Sequence, residues 1–417
     1  MLNPYPVSHA KTRLHATQNR LIQSRCQCGS RYLRSFPLNG SEGSYGCAKV
    51  PAQEEFHMPN TPLLTSLVTV LAVLLLNWGD PVLAALPAGS AVTDGAAILR
   101  NALPIEQKDL RQMQATLEAT SKVVGSSKGN RWVALNEAAS SSQFLVITRK
   151  KSILAAIPEA SREEGEALLE SLGETLQALG DEASNQNIDN FIDLRRKSLK
   201  QIGDLEALLV NDFPYTIPEE FNSLPRLLGR ATVSIKTTKG NITAVVDGYN
   251  APLTAGAFVD LALKGFYDGL PFTRAEDNYV LQSGDPTGPE SGYIDPTTKK
   301  ERQVPLEIRI PEEATPFYNQ TFEDIGLYKA TPVLPFAALG TLGWAHSDQA
   351  IEDGSSQFFL FLYDAELTPA GLNLVDGRNA AFGYVVEGTE LLKKLEVGDQ
   401  ILSIKVVDGA DRLKPHA

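Results

Sequence analysis

Near residue 230 the hydrophobic period of this chain changes, and no single repetitive fold accommodates both halves. From about Thr93 to Asn211 apolar residues return at three- and four-residue steps: Leu110, Met113, Leu117, Thr120 and Val124, then Leu169, Leu172, Leu176 and Leu179, then Ile188, Ile192, Leu199, Ile202 and Leu209. That spacing puts an apolar stripe on one face of each helix. Breaks at Gly125–Gly129, Pro158 and Gly180–Ser184 predict helices near 106–124, 130–156, 159–180 and 186–210. The stretch before Pro104 has room for a further short one. Short loops make antiparallel neighbours the expected packing. The leucine stripe at 169–179 spans under two heptads, which favours bundle core over an intermolecular coiled coil.

The next stretch, 212–230, has three prolines and no period, yet Phe213, Tyr215, Ile217 and Phe221 are too apolar for a free tether, so a packed linker is expected. From Ala231 the pattern alternates. Thr232–Lys236 and Ile242–Val246 flank the turn Thr238–Asn241 and read as a hairpin. Thr254 is placed to cap a helix that stops at Gly265. Later strands are expected at Gln303–Ile308, Phe358–Leu362, Ala381–Val385 and Ile401–Val407, with a second helix at Thr389–Leu395. The predicted class is a multidomain α+β chain: an N-terminal antiparallel helical bundle over 93–211, then a closed antiparallel β-barrel with two helices over 231–413.

Charge divides the chain differently. Residues 1–50 hold seven Lys/Arg and one acid, Glu42, whereas residues beyond 84 carry a net −15. An acidic body lacks the basic footprint that nucleic acid requires. The basic opening, followed by an uncharged stretch from Phe56 to Gly79 and the small residues of Val82–Ala85, predicts a removable bipartite signal over 1–84, of the kind that carries proteins through a plastid into the thylakoid lumen. Its apolar centre, Leu63–Leu76, suits a signal core better than a membrane span of about 20 residues. All three cysteines (Cys26, Cys28, Cys47) fall in that segment, so the remainder has no thiol for a disulfide, a metal or a nucleophile.

Three blocks carry chemistry. Tyr267–Arg274 with Val280–Pro286, then Gly354–Phe359, then Val375–Gly383, stand in the order and approximate spacing of the cyclophilin signature, and over these 180-odd residues the chain resembles that family. The whole organisation, with lumenal signals, an acidic helical domain and a C-terminal barrel, is similar to the multidomain cyclophilins of the thylakoid lumen. The resemblance implies a peptidyl-prolyl cis-trans isomerase that uses no cofactor and no metal. Independently of any family, rotation about X-Pro meets a resonance barrier of about 18–20 kcal/mol and breaks no bond. It needs a donor aimed at the prolyl nitrogen and apolar walls for the ring, and a fixed guanidinium suits the donor role better than a mobile ammonium.

By that resemblance Arg274 takes the catalytic arginine position and Gln282 the glutamine that supports it. Tyr279, Val280 and Phe359 match the walls of the proline pocket, with Phe358 facing the core. Ala345, His346, Gln357, Leu374 and Asn379 match positions along the peptide groove. Departures are as informative: Thr273 stands where the family has histidine, Val280 where it has methionine, Leu374 where a tryptophan supports cyclosporin binding, and Asn379 where the pocket has histidine. An insertion at Leu367–Gly371 alters the same rim. Leu374 and Asn379 imply weak cyclosporin binding, and Glu276 and Asp277, placed to pair with Arg274, imply reduced turnover. His346 replaces an asparagine. It is either a plain groove residue or a pH sensor, since histidine changes charge near pH 6.5. The implied partners are proline-containing loops of photosystem II membrane proteins during folding, assembly and repair, the chain's own helical domain docked on the barrel, and, ranked lower, a thylakoid membrane protein phosphatase. A proline-peptide grip with little turnover is the second reading.

Overall fold

The helical half is built as its period demands. In the computed structural model, which describes residues 92–126, 130–210, 212–347, 349–362 and 375–415, helices run over Gly95–Asn101 (α1), Lys108–Ala119 (α2), Ser121–Val124 (α3), Arg131–Ala156 (α4), Arg162–Ser184 (α5) and Ile188–Ala207 (α6). Side-chain caps start three of them: Asp94, Gln107 and Asn187 accept from Ala96, Leu110 and Asn190 amides. Pro158 ends α4 through the extended backbone of Ile157. The expected break at Gly180 is absent. Gly180 packs within α5, which runs on until Ser184 because Ala183 is still buried. Leu169, Leu172, Leu176 and Leu179 are buried against Leu135, Ala139, Val146 and Ile153 of α4 as bundle core. On α6 the buried face is centred on Phe191, Leu199, Ile202 and Leu205, so Phe191, not Ile192, points inward.

The second half is a curled antiparallel sheet. Strands β1 (Arg226–Leu227), β2 (Arg230–Thr237), β3 (Gly240–Asp247), β4 (Arg274–Glu276), β5 (Val280–Ser283), β6 (Glu307–Ile308), β7 (Phe317–Tyr318), β8 (Thr341–Trp344), β9 (Phe358–Phe361), β10 (Ala381–Glu387), β11 (Ile401–Asp408) and β12 (Leu413–Lys414) follow in order. Eight form one sheet in the order β11-β2-β3-β10-β8-β9-β5-β4. Its ladder is open between β11 and β4. The segments leading into those two strands meet through a bridge between Pro271 and Gln400 and backbone hydrogen bonds joining Gly269, Leu270 and Phe272 to Asp399, Ile401 and Gly398. Of the expected strand Gln303–Ile308, only Glu307–Ile308 forms a ladder, with β7, while Val304 bridges Gly354.

Helix α7 (Pro252–Leu263) is buried on nearly every side beneath the sheet. Its start corrects the sequence reading. Ala251 is the N-cap and Pro252 the first helical residue. The cap is supplied from 53 residues away: Glu307, fully buried, accepts from the Leu253 and Thr254 amides and from the Thr254 hydroxyl. Desolvation pushes its carboxyl up to about 7. The expected second helix shortens to Thr389–Leu392 (α8), after Gly388 in the left-handed region.

Helices and sheet have separate cores, and α1 crosses between them. Its Ile98 and Leu99, with Ala102, belong to the sheet's core, and a side chain at Gly95 would strike Tyr384 of β10. Arg230 donates to the Leu99 carbonyl and Asn250 to that of Ala102. From the same helix Arg100 turns the other way and pairs with Glu118 of α2 at 3.0 Å. Beside it Arg111 donates to the Arg100 and Leu103 carbonyls and pairs with the buried Glu206 of α6. Burial raises Glu206 to about 7, although Arg111 and Arg100 pull it down. Residues 212–230 pack as well: Tyr215 lies under Arg309, and Phe221 against Tyr318. The bipartite signal expected over 1–84 lies outside the described residues.

Candidate active site

Register brings the site together. Arg274 on β4 is opposite Gln282 on β5, Gln282 is opposite Phe359 on β9, and Phe359 is opposite Gly343 on β8. Opposed residues of antiparallel strands share a face, so these four form a row, with Glu276, Val280, Phe361 and Thr341 as the next row on that face. The alternate residues point into the core, where Phe358 meets Phe258 and Tyr267 edge-on, and Trp344 meets Phe382.

Arg274 and Glu276, two apart on one strand, pair on that face: Arg274 Nε donates to Glu276 Oε1 at 2.7 Å, with both side chains about half exposed (47% and 50%). The guanidinium also stands 5.5 Å from the Tyr279 ring. The turn between β4 and β5 depends on Asn278 in the left-handed region (φ 57°), which asparagine tolerates. Tyr279, next to it, is 42% exposed and meets Phe361 edge-on.

Val280 and Phe359 are nearly covered, at 4% and 6% exposure. Phe336 is stacked on Phe359 at 5.6 Å with 13° between the rings and stands edge-on to Phe361. Neither Phe336 nor Gly343 was among the sequence candidates. A side chain at Gly343 would run into both the Phe359 and Phe336 rings. A glycine inside a strand was the signal available for it, since such a residue marks close approach. For Phe336 the sequence carried none.

Gln282 extends the row toward the groove. Its Nε2 donates to Gln357 Oε1 at 2.8 Å, and Gln357 in turn donates to the Ser291 carbonyl and, at 3.4 Å, to Asp285. The Gln357 carbonyl receives the Ala345 amide at 3.0 Å. His346 follows, with Nδ1 2.8 Å from the Ser347 carbonyl and Nε2 3.0 Å from that of Arg378. Asn379 reaches the Trp344 carbonyl at 3.5 Å. The turn carrying Arg378 and Asn379 is anchored to the Phe336 loop by Asp376, which accepts the Phe336 amide at 2.8 Å and is raised to about 6 by burial. Gln282, Gln357 and Ala345 are thus linked in sequence, with His346 next along the chain, while Arg274 stands opposite Gln282 and beside the Tyr279 ring, and Asn379 reaches Trp344. Leu374 and the insertion at Leu367–Gly371 lie outside the described residues.

Chemically, this face offers an exposed guanidinium beside an aromatic ring and a chain of side-chain amides. It suits holding and twisting an amide. Residues 232–411 match the family described as cyclophilin type peptidyl-prolyl cis-trans isomerase, and residues 94–210 match the PsbQ-like domain of CYP38-like peptidyl-prolyl cis-trans isomerases. A Synechocystis sp. protein named for a thylakoid lumen peptidyl-prolyl cis-trans isomerase (sll0408) is 46% identical over 84% of this chain and 94% of its own length. The chloroplastic peptidyl-prolyl cis-trans isomerase CYP38 of Arabidopsis thaliana is 39% identical over 80% of this chain and 78% of its own. A. thaliana CYP37, also chloroplastic, is 30% identical over 76% and 70%. With both halves matched in one order, the chain belongs to the cyclophilin-type peptidyl-prolyl cis-trans isomerases of the thylakoid lumen.

Proposed function

We propose that the groove isomerises X-Pro bonds in lumenal segments of photosystem II membrane proteins, assisting their folding, assembly and repair. Arg274 is the donor to the prolyl nitrogen, Gln282 and Gln357 orient the neighbouring carbonyl, and Tyr279 and Phe359 wall the ring, with buried Phe336 stacked behind Phe359. The observation that carries this is the row Arg274–Gln282–Phe359 on one face of the sheet. The lumenal relatives and the PsbQ-like helical match support the choice of client. In the same reading the helical domain spans 93–211, the linker 212–230 and the catalytic domain 231–413, whose sheet closes as a barrel through the contacts between 269–272 and 398–401.

One observation favours a second reading, a grip with little turnover: Glu276 already occupies the Nε–H of Arg274. A protease-coupled proline-peptide assay on the purified protein separates the two. Turnover that is lost in Arg274→Ala supports the isomerase. Peptide binding without turnover in either protein supports the grip, and regulation of a membrane phosphatase through that grip then becomes the next client to test.

A further inference from the structure

Helix α4 is apolar on the side that no neighbouring helix covers. Its inward side, with Leu135, Ala139, Val146 and Ile153, is bundle core. On the outer side Val133, Phe144 and Ile147 are 69%, 64% and 71% exposed, three of the four most exposed large apolar side chains among the described residues. A rotation of about 100° per residue sets Glu137, Ser140, Ser141, Thr148 and Lys151 on the same face as Phe144, and all five are exposed. Ion pairs border this face on both sides. Arg149 reaches Asp109 of α2 at 3.6 Å, and Lys150 reaches Glu166 and Glu170 of α5 at 2.6 and 3.2 Å. An apolar centre inside a polar rim is the layout of an interface.

The face is also complementary to itself when turned end for end about Phe144. Residues equally far from Phe144 in the two directions match in size or in charge. Three positions away, Ser141 is small and Ile147 large; seven positions away, Glu137 is acidic and Lys151 basic; eleven positions away, Val133 and Ala155 are both apolar. Glu137 and Lys151 lie about 21 Å apart along one helix, too far to meet within a chain. Among the described residues neither is in an ion pair. The hydroxyls of Ser140, Ser141 and Thr148 donate to Asn136 Oδ1 and to the Ala138 and Phe144 carbonyls at 3.0, 3.2 and 2.7 Å, so covering them strands no donor.

We propose that this face of α4 is a self-association surface, on which a second copy of the chain lays its own α4 antiparallel, with the two-fold axis at Phe144. The two Phe144 rings meet at the axis. Ile147 fills the space over Ser141 of the second copy, and Glu137 pairs with Lys151 of the second copy, both contacts being made twice. The matched strip from Val133 to Ala155 is about 33 Å long and about 10 Å wide. That is under half of the roughly 800 Å² that each partner gives to a standard interface, so the dimer is weak and forms where the protein is concentrated. The inference does not draw on the peptide groove.

Sedimentation velocity on the purified protein, from about 5 to 500 µM at about 0.15 M salt, reads the association. Wild type is expected to move from monomer toward dimer over that range, and Phe144→Glu to stay monomeric. Glu137→Lys and Lys151→Glu are each expected to weaken the dimer about tenfold. An equimolar mixture of those two proteins, and the protein carrying both substitutions, should associate as wild type does. The substituted positions are exposed, and far-ultraviolet circular dichroism checks that each variant is folded. A wild type that is monomeric throughout, a dimer indifferent to Phe144→Glu, or charge reversals that mixing does not rescue each overturns the proposal. Flotation with vesicles of equal parts phosphatidylglycerol and phosphatidylcholine tests the other occupant. If monomeric wild type floats with them and Phe144→Glu does not, the face belongs to a bilayer and the proposal falls.

Discussion

Glu276 takes the Nε–H of Arg274 at 2.7 Å from two residues along the same strand, on the face that also carries Gln282 and Phe359. An ion pair this exposed is worth little, about 0.2–1 kcal/mol. It restrains the arginine without disabling it. Glu276→Gln is therefore expected to raise kcat/KM on a proline tetrapeptide by about twofold to fivefold. Arg274→Ala is expected to lower it by about a hundredfold, as removal of a single transition-state donor does. The protease-coupled assay reads both. A Glu276→Gln protein no faster than wild type would show that the pair does not hold the donor back.

Gly343→Ala should damage the groove without touching Arg274. The added methyl meets the stacked Phe359 and Phe336 rings, and overpacking of a filled site costs about 1–3 kcal/mol. Peptide affinity should fall along with thermal stability. Loss of stability with unaltered affinity would place the aromatic stack outside the binding surface.

Stability should rise as the medium acidifies. Burial raises Glu206 and Glu307 to about 7 and Asp376 to about 6, above their ordinary values of 4.5, 4.5 and 3.8. Each folded-state pKa exceeds its unfolded one, so the stability it contributes is complete below the unfolded value and is lost as pH climbs through about 6–7. Calorimetry should find Tm higher at pH 5.5 than at pH 8, on the order of 1–3 kcal/mol in unfolding free energy. Glu206→Gln should flatten part of that slope and be the more stable protein at pH 8. A Tm that falls between pH 8 and 5.5 would contradict the burial argument.

Leu99→Ala tests the crossing helix. Leu99 lies in the sheet's core although it precedes the whole helical bundle in sequence. Its truncation should cost about 2–5 kcal/mol, and hydrogen exchange should accelerate first at the β10 amides. Acceleration confined to α4 and α5 would mean that α1 belongs energetically to the bundle.

Local pattern told most of this structure in advance. The stripe Leu169–Leu179 and the hairpin around Thr238–Asn241 are written in neighbouring residues, and both lie where their periods put them. The row Arg274–Gln282–Phe359 was legible only through the three family blocks, because no local rule aligns residues 85 positions apart. What was hidden depended on distant segments. Thr254 has the chemistry of an N-cap, but Pro252 starts the helix and a carboxylate from another strand satisfies the amides. Ile192 fits the helical step as well as Phe191, and the buried position falls to Phe191. The stack that Phe336 forms on Phe359 belongs to an aperiodic loop whose course is set by Asp376, 40 residues later.

The path of α1 also bears on how the chain is made. Its carbonyls at Leu99 and Ala102 accept from residues 131 and 148 positions downstream. Among the described residues α1 comes first in sequence, and it has no surface to rest on until the sheet exists. Contacts of such long sequence separation slow folding. The helical bundle can assemble while the sheet is still being completed, and docking of α1 then marks the finished molecule. A product truncated before β10 would leave Ile98 and Leu99 of α1 without the sheet they pack on, a feature that quality-control proteases and chaperones are equipped to read.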